Sequence, residues 1–265
     1  MRGVLATSAV VAALLVAVWP AHAAGSPTWS SRVAAAQRYA EGRVCLVAFA
    51  VVDQRGRFHQ YRASAVAPAA SLLKPMLLVA YLRKPSVRDR VLTQRERDLL
   101  GPMIRRSDNA AVSTVLGLVG SSGVMRLAEV TGMARFRLVL PFWGHSEITP
   151  RDQARFFHRI DSYVPARHRS YAMRLLATIV PSQRWGVAQV APAGWNLYFK
   201  GGWSTGTGLV DHQAALLTLG KARVSLAITT RFNPSHAYGK ETLRGVAARL
   251  LRGLRPASST SPRGG

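Results

Sequence analysis

Strand patterns lie near both ends of this sequence and helical patterns fill the interval between them, which limits the folds open to the chain. Residues 44–52 form an apolar, β-branched run, and the alternating residues 58–65 follow a turn at Asp53-Gln54-Arg55-Gly56. Three more strand candidates lie toward the carboxyl end, at residues 195–199, 209–219 and 222–230. We therefore predict an α/β (α+β) fold, with an antiparallel sheet built from both chain ends, flanked by helices, plus an inserted all-helical region.

The helical candidates carry apolar residues three and four positions apart. They span residues 31–41, 71–83, 93–104, 108–119, 122–131, 150–162, 167–179 and 240–254. We expect residues 24–70 and 190–255 to form the sheet part and residues 71–189 to form the helical part. The cleft between the two parts is the natural place for a site.

The first residues have the layout of a secretory signal peptide. A positive charge at Arg2 precedes an apolar run over residues 4–18 and the small-residue cleavage site Ala21-His22-Ala23. We expect residues 1–23 to be removed and the protein to be secreted, as an extracytoplasmic protein of the cell envelope. No later stretch offers about 18 uncharged apolar residues, so no integral membrane segment is expected after cleavage. Residues 256–265 are predicted to be a disordered tail.

The net charge of +24 raises nucleic-acid binding as a function. The export signal argues against it, and the basic residues are scattered rather than gathered in blocks. We predict no nucleic-acid partner, but an electrostatic association with anionic envelope polymers that salt weakens. The single Cys45 cannot form an internal disulfide, and the histidines lack metal-ligand spacing. We expect neither metal nor cofactor, and a monomer.

Ser71 and Lys74 bring a hydroxyl and an amine together near the start of a predicted helix. Their spacing of three residues places both on one face of that helix. A lysine with a lowered pKa could take the serine proton, and the positive end of the helix would support negative charge on the serine oxygen. The S-x-x-K pattern alone is weak, because exposed helices also contain it.

Two further motifs follow in the chain. Ser107-Asp108-Asn109 matches S-D-N, and Lys200-Gly201-Gly202 is similar to K-[ST]-G. Together with Ala69-Ala70-Ser71-Leu72-Leu73-Lys74 and Ile148-Thr149-Pro150-Arg151-Asp152, these motifs resemble those of class A β-lactamases and penicillin-binding proteins. The resemblance covers nearly the whole mature chain and implies a β-lactamase/transpeptidase-like fold.

The resemblance also implies catalytic roles. Ser71 would be the nucleophile and Lys74 the amine that activates it. Ser107 would relay a proton to the leaving nitrogen, and Lys200 would supply positive charge near Ser107 and the substrate carboxylate.

Substrate binding is implied for a second set of residues. Asn109 would hydrogen-bond the side-chain amide of the substrate, and the backbone N–H groups of Ser71 and Trp203 would form an oxyanion hole. Gly202, Trp203 and Thr205 are expected to line the same site.

The sequence departs from class A β-lactamases in the residue that hydrolyses the acyl-enzyme. Those enzymes use a glutamate in an E-x-x-L-N motif between S-D-N and T-P-x-D, and this chain lacks the motif. Between Asn109 and Thr149 the acidic residues are Glu129 and Glu147. Glu129 falls in a helical pattern typical of a surface residue. Glu147 directly precedes Ile148-Thr149-Pro150, too late for the family position, and is expected to be a helix-entry or loop partner, although of the two it is the better candidate for a deacylation base.

A second departure is Gly201, where Ser or Thr helps bind the substrate carboxylate in that family. The candidates to compensate for it are Ser204, Thr205, Thr207 and His212.

These features predict an exported serine hydrolase that forms an acyl-serine intermediate on a β-lactam or peptide-like amide. Its partner would be a small-molecule β-lactam or a peptidoglycan peptide. Two alternatives stay open, a D-alanyl-D-alanine peptidase acting on peptidoglycan and a catalytically weakened module that binds or senses wall fragments.

Overall fold

The computed structural model describes residues 27–204, 206 and 208–254. The predicted signal peptide at residues 1–23, the predicted tail at residues 256–265 and Thr205 lie outside the described residues. The strands are β1 (Leu46–Val52), β2 (Phe58–Tyr61), β3 (Ala67–Pro68), β4 (Glu147–Ile148), β5 (Asn196–Ser204), β6 (Val210–Leu219) and β7 (Ala222–Arg231). The α-helices are α1 (Trp29–Glu41), α2 (Leu73–Leu82), α3 (Gln94–Arg105), α4 (Asn109–Val130), α5 (Pro150–His158), α6 (Ile160–Tyr163), α7 (Ala166–Ala177) and α8 (His236–Leu251).

Strands from both ends of the chain form one antiparallel sheet in the order β2-β1-β7-β6-β5. Ala50 of β1 lies opposite Ala227 of β7, so the first and last strand segments meet in the middle of the sheet. Short strands β3 and β4 pair separately, beside the start of α2. The predicted fold class is confirmed.

Both faces of the sheet are covered. Every residue of β1 from Val47 to Val52 is buried, and since successive strand residues point to opposite faces, neither face is open at this strand. Helices α1 and α8 pack against each other and against the sheet, while α5 packs against β1, β6 and β7. The continuous apolar run of β1 is the sequence signature of this double burial.

The helical region surrounds α2, all of whose residues are buried. Helices α3, α4 and α7 pack against it. Pro75 lies in the first turn of α2, where backbone N–H groups have no partner within the helix. The predicted helices 108–119 and 122–131 correspond to the two parts of α4, which meet at a kink where Gly120 has a non-helical φ of 71°.

Among the described helices, α4 is the one long and apolar enough to cross a membrane by length and composition. Its bend at Gly120 and its packing against α2 and α3 are those of a helix within a folded domain.

Several boundaries differ from the sequence prediction. The helix predicted from Ser71 begins as a 3-10 turn, and the helix predicted over 150–162 is interrupted at Arg159. Strand β5 runs on to Ser204, so Lys200 lies inside the strand rather than at its end, because pairing with β6 continues to Val210. The boundaries between the sheet part and the helical part, predicted between residues 70 and 71 and near residue 189, stay predictions. Helix α5, which the prediction places in the helical part, packs on the sheet.

Candidate active site

Ser71 lies in the 3-10 turn Ala70–Leu72, directly before α2. The turn is fixed from outside, since Ala69 N donates a 2.6 Å hydrogen bond to Ser146 O. Ala70 has a φ of 43°, a backbone conformation that L-residues other than Asn and Asp seldom adopt. The structure around it therefore holds Ser71 in a strained turn, with only 8% of the residue exposed.

Ser107 and Asn109 flank the start of α4. Asp108 caps this helix, its Oδ1 accepting a 3.1 Å hydrogen bond from Ala111 N. Ser107 has a φ of 60°, so the residue before the cap is also in the left-handed region. The S-D-N motif thus combines a helix cap with a sharp turn that aims the Ser107 side chain at α2.

Strand β5 closes the site from the other side. A Cβ placed on Gly202 would lie 2.8 Å from Ser71 N and 3.3 Å from Ala69 O, both backbone atoms that cannot move aside cheaply. Only glycine lets the strand come this near to the serine turn. The close approach brings Lys200, two residues earlier on the same face of the strand, to the serine cluster.

The side chains of Ser71, Lys74, Ser107, Asn109 and Lys200 form one hydrogen-bonded network, called here the serine–lysine cluster. Ser107 Oγ lies at its centre, 2.9 Å from Ser71 Oγ. It accepts from Lys74 Nζ at 2.9 Å and from Lys200 Nζ at 3.1 Å. Lys74 Nζ also donates to Ser107 O and to Asn109 Oδ1, the latter at 2.8 Å.

The Lys74 amine thus contacts Ser107 and Asn109, whereas no hydrogen bond between described side chains joins it directly to Ser71. Sequence spacing predicts direct contact along the helix. The structure instead places the Ser107 hydroxyl between the nucleophile candidate and the amine.

Burial shifts the pKa values of both amines downward. Lys74 and Lys200 are fully buried. Desolvation lowers the pKa of Lys74 to about 7, partly opposed by Asp108. Burial also lowers the pKa of Lys200 well below its ordinary value, and the nearby charge of Lys74 lowers it further. A neutral amine is therefore accessible near neutral pH.

Trp203 and Gly201 leave β5 on the face opposite to Lys200, although the Lys200 amine, which donates to Gly201 O, lies 6.0 Å from the centre of the Trp203 ring. The Trp203 ring packs edge-on against Trp185 at 5.8 Å and stacks on His236 at 5.7 Å. A Cβ on Gly201 would lie 3.0 Å from the Trp185 ring. The Trp185 indole thus occupies the space into which a Ser or Thr side chain at position 201 would point.

The residues expected to compensate for Gly201 are only partly described. His212 is fully buried inside the sheet, and its Nδ1 lies 2.8 Å from Asp211 O. Ser204 ends β5 and is half-buried, while Thr205 and Thr207 lie outside the described residues.

Glu147 is the predicted site residue that the structure does not bring to the serine–lysine cluster. It lies in β4 opposite Pro68, and its carboxylate forms an ion pair with Arg137. Hydrogen bonding to this guanidinium lowers the pKa of Glu147. A carboxylate held in this way is a weaker base, so the arrangement gives no support to a role in deacylation.

Trp143 lies at the Lys74 amine, although none of the sequence motifs includes it. Its ring centre lies 5.4 Å from Lys74 Nζ. One feature of the sequence could have drawn attention to this residue. Trp143 lies between the S-D-N and T-P-x-D motifs, in the interval where class A β-lactamases have an acidic residue.

A second buried polar group, the Asp211 cluster, lies between β6 and the start of α8. It consists of Asp211, Thr230, Asn233 and His236. Asn233 Nδ2 donates to Asp211 Oδ2 at 3.0 Å and to Thr230 Oγ1 at 2.8 Å, and His236 Nδ1 hydrogen-bonds Asp211 Oδ1. Burial raises the pKa of Asp211 to about 7 and lowers that of His236.

The fold is that of a β-lactamase-like α/β chain. A model of the Beta-lactamase enzyme family matches residues 89–254, more than half of the sequence. The chain belongs to this family. The matched range includes Ser107, Asn109 and Lys200 and begins after Ser71 and Lys74. No curated protein matches the chain significantly.

Solved β-lactamase structures share the fold at low sequence identity. A β-lactamase from Sphaerobacter thermophilus is 20% identical, with a TM-score of 0.73 over 85% of this chain and 97% of that one. One from Xanthomonas campestris is 18% identical, with a TM-score of 0.71 over 84% and 96%. One from Streptosporangium roseum is 18% identical, with a TM-score of 0.70 over 84% and 97%.

Proposed function

We propose that this protein is an exported serine hydrolase that attacks a β-lactam or peptide-like amide and forms an acyl-serine at Ser71. The observation that supports it most is the position of Ser107 Oγ, which is 2.9 Å from Ser71 Oγ and accepts hydrogen bonds from two buried lysines. Buried polar side chains that hold a hydroxyl between two amines are arranged for proton transfer.

In the proposed acylation, the Ser71 proton passes to Ser107 and the Ser107 proton passes to the neutral Lys74 amine. Ser71 Oγ bonds to the carbonyl carbon and the carbon–nitrogen bond breaks. The leaving nitrogen takes its proton back from Ser107, which is replenished from Lys74 or Lys200. The backbone N–H groups of Ser71 and Trp203 are the proposed oxyanion donors, and the glycine-dependent approach of β5 to Ser71 supports that pairing.

A fluorescent penicillin tests the nucleophile. Wild type should become covalently labelled and Ser71→Ala should not. Ser170→Ala is the matched control, because Ser170 is an exposed serine on α7, remote from the serine–lysine cluster. Labelling that persists in Ser71→Ala would refute the assignment.

The peptidase alternative is favoured by one observation, the pairing of Glu147 with Arg137. Among the described residues no carboxylate hydrogen-bonds the side chain of Ser71, Lys74 or Lys200, and the penicillin-binding relatives share the serine and lysine motifs without a loop glutamate. Release of D-alanine from a peptide ending in D-alanyl-D-alanine, with little turnover of the chromogenic β-lactam nitrocefin, would favour the peptidase. Stable acylation with no turnover of either compound would favour a wall-fragment binding or sensing module.

A further inference from the structure

The turn Trp143–His145 packs directly against the Ser71 turn. Its position is fixed on both sides. Ser146 O accepts from Ala69 N at 2.6 Å, and Ser146 Oγ accepts from Val139 N at 3.1 Å. The segment that covers this side of the cluster is therefore held to the serine turn by hydrogen bonds.

The Trp143 ring lies beside the Lys74 amine, with its centre 5.4 Å from Lys74 Nζ. Lys74 Nζ makes three hydrogen bonds, to Ser107 O, Ser107 Oγ and Asn109 Oδ1. Three is all that an ammonium group can donate, and a neutral amine would use its lone pair on one of them. With its three hydrogen bonds made inside the cluster and the indole centre 5.4 Å away, this amine has no further N–H to offer a water molecule.

A groove of about 420 Å³ borders the same ring. Its lining is mostly apolar or small, and besides Trp143 it includes Leu116, Gly120, Leu140 and Pro141. The Trp143 indole thus lines this groove and also lies beside the Lys74 amine.

Hydrolysis of an acyl-serine needs a water molecule and a base beside it. The water oxygen bonds to the acyl carbon, the bond from that carbon to Ser71 Oγ breaks, and a water proton reaches Ser71 Oγ by way of the base. Among the described residues, no carboxylate hydrogen-bonds the side chain of Ser71, Lys74 or Lys200, and Asp108 instead caps α4. The bases within reach are Lys74 and Lys200, which act through Ser107, and the Trp143 ring lies beside Lys74.

We propose that Trp143 is a specificity-determining residue that shields the acyl-serine from water, making hydrolysis slow relative to acylation. This inference rests on the proposed function, since it concerns the fate of the acyl-serine at Ser71. The acyl-enzyme would then be long-lived. Its release would need a nucleophile that is bulkier or better bound than water.

Intact-protein mass spectrometry after a pulse of benzylpenicillin tests the shield. Trp143→Ala should shorten the half-life of the acyl-enzyme at least tenfold and leave the acylation rate within threefold of wild type. Trp143→Phe, which keeps an aromatic cover, should stay near the wild-type half-life. Phe142→Ala is the matched control, because Phe142 lies on the same segment, is 68% exposed and does not contact Lys74.

A gain of function sharpens the test. Trp143→Glu would place a carboxylate beside Lys74, and should shorten the half-life further than Trp143→Ala, whereas Phe142→Glu should not change it. If Trp143→Ala unfolds, Trp143→Leu keeps apolar packing without the flat ring and should shorten the half-life by a smaller factor.

The outcomes separate this inference from the proposed function. An adduct on Ser71 whose half-life is the same in wild type and all Trp143 variants would overturn the shield and leave the nucleophile standing. No adduct on Ser71 in wild type would overturn both.

Discussion

The serine–lysine cluster and the Asp211 cluster both bury ionisable groups beside the sheet, yet they are built in opposite ways. The serine–lysine cluster gathers two amines around one hydroxyl, and neither amine has a carboxylate partner in hydrogen-bond contact among the described residues. The Asp211 cluster surrounds a carboxyl group, on a residue that is 1% exposed, with an amide that donates to it and an imidazole that hydrogen-bonds it.

The difference separates a reactive arrangement from a structural one. Like charges buried together disfavour their own protonated forms, so the first cluster costs folding energy and keeps an amine free to accept a proton. In the Asp211 cluster burial disfavours the charged forms of both Asp211 and His236, and hydrogen bonds hold the first turn of α8 on β6. Removing a lysine should therefore change chemistry, and removing Asp211 should change stability.

Lys74→Met gives the largest expected effect. Loss of the proton-accepting amine should lower the acylation rate by about 10³-fold, measured by stopped-flow with a fluorescent penicillin.

Because burial lowers the pKa of Lys74 to about 7, the native state binds fewer protons than the unfolded state between about pH 7 and 10. The contribution of this lysine to stability is thus least favourable below pH 7, where Lys74→Met should have a melting temperature equal to or above that of wild type. If Lys74→Met were both inactive and strongly destabilised, the distinction between a reactive and a structural cluster would be wrong.

Asp211→Ala should lower stability and leave acylation nearly unchanged, the reverse of Lys74→Met. It leaves the Asn233 amide and the His236 imidazole without their buried partner, and should lower the free energy of unfolding by about 3 kcal/mol in urea titrations. The acylation rate of the folded fraction should stay within threefold of wild type. Asp89→Ala is the control, because Asp89 pairs with Arg88 at the exposed surface and its loss should cost less than about 0.5 kcal/mol.

The elements could be predicted from the sequence where local pattern decides them. The apolar run of β1 and the spacing of Ser71 and Lys74 are visible without any long-range knowledge. The sheet prediction succeeds because strands at both chain ends have few partners other than each other.

The contacts within the site join residues that are far apart in the sequence, so local pattern could not predict them. Lys200 and Ser107 are 93 residues apart, and their contact exists because Gly202 lets β5 approach the Ser71 turn. The contacts of Trp143 with Lys74 and of Trp185 with Gly201 arise from the packing of segments whose sequences have no periodic pattern. Sequence can name the motif residues but not the rings packed against them.

The pH dependence of acylation gives the next effect in size. If neutral Lys74 accepts the proton, the acylation rate should fall about tenfold for each pH unit below about 7, reaching roughly one hundredth of its plateau near pH 5. The plateau should lie above pH 8. Rapid-mixing acylation assays from pH 5 to 9 measure the profile, with circular dichroism at each pH to verify folding. A flat profile between pH 5 and 8 would mean that Lys74 is not the proton acceptor.

His236 offers the smallest effect and the sharpest test of whether the two clusters are independent. Its ring stacks on Trp203, whose ring in turn lies 6.0 Å from Lys200 Nζ, so aromatic packing links the clusters. His236→Phe keeps a ring on Trp203 and loses the hydrogen bond to Asp211, while His236→Asn can keep a donor and loses the ring. If the clusters are independent, each variant should lose about 1 kcal/mol of stability in urea titrations and acylate within twofold of wild type. A tenfold loss of acylation in His236→Asn alone would show instead that the stacked ring positions Trp203, and with it the backbone N–H proposed for the oxyanion hole. The same loss in His236→Phe alone would place the coupling in the hydrogen bond to Asp211.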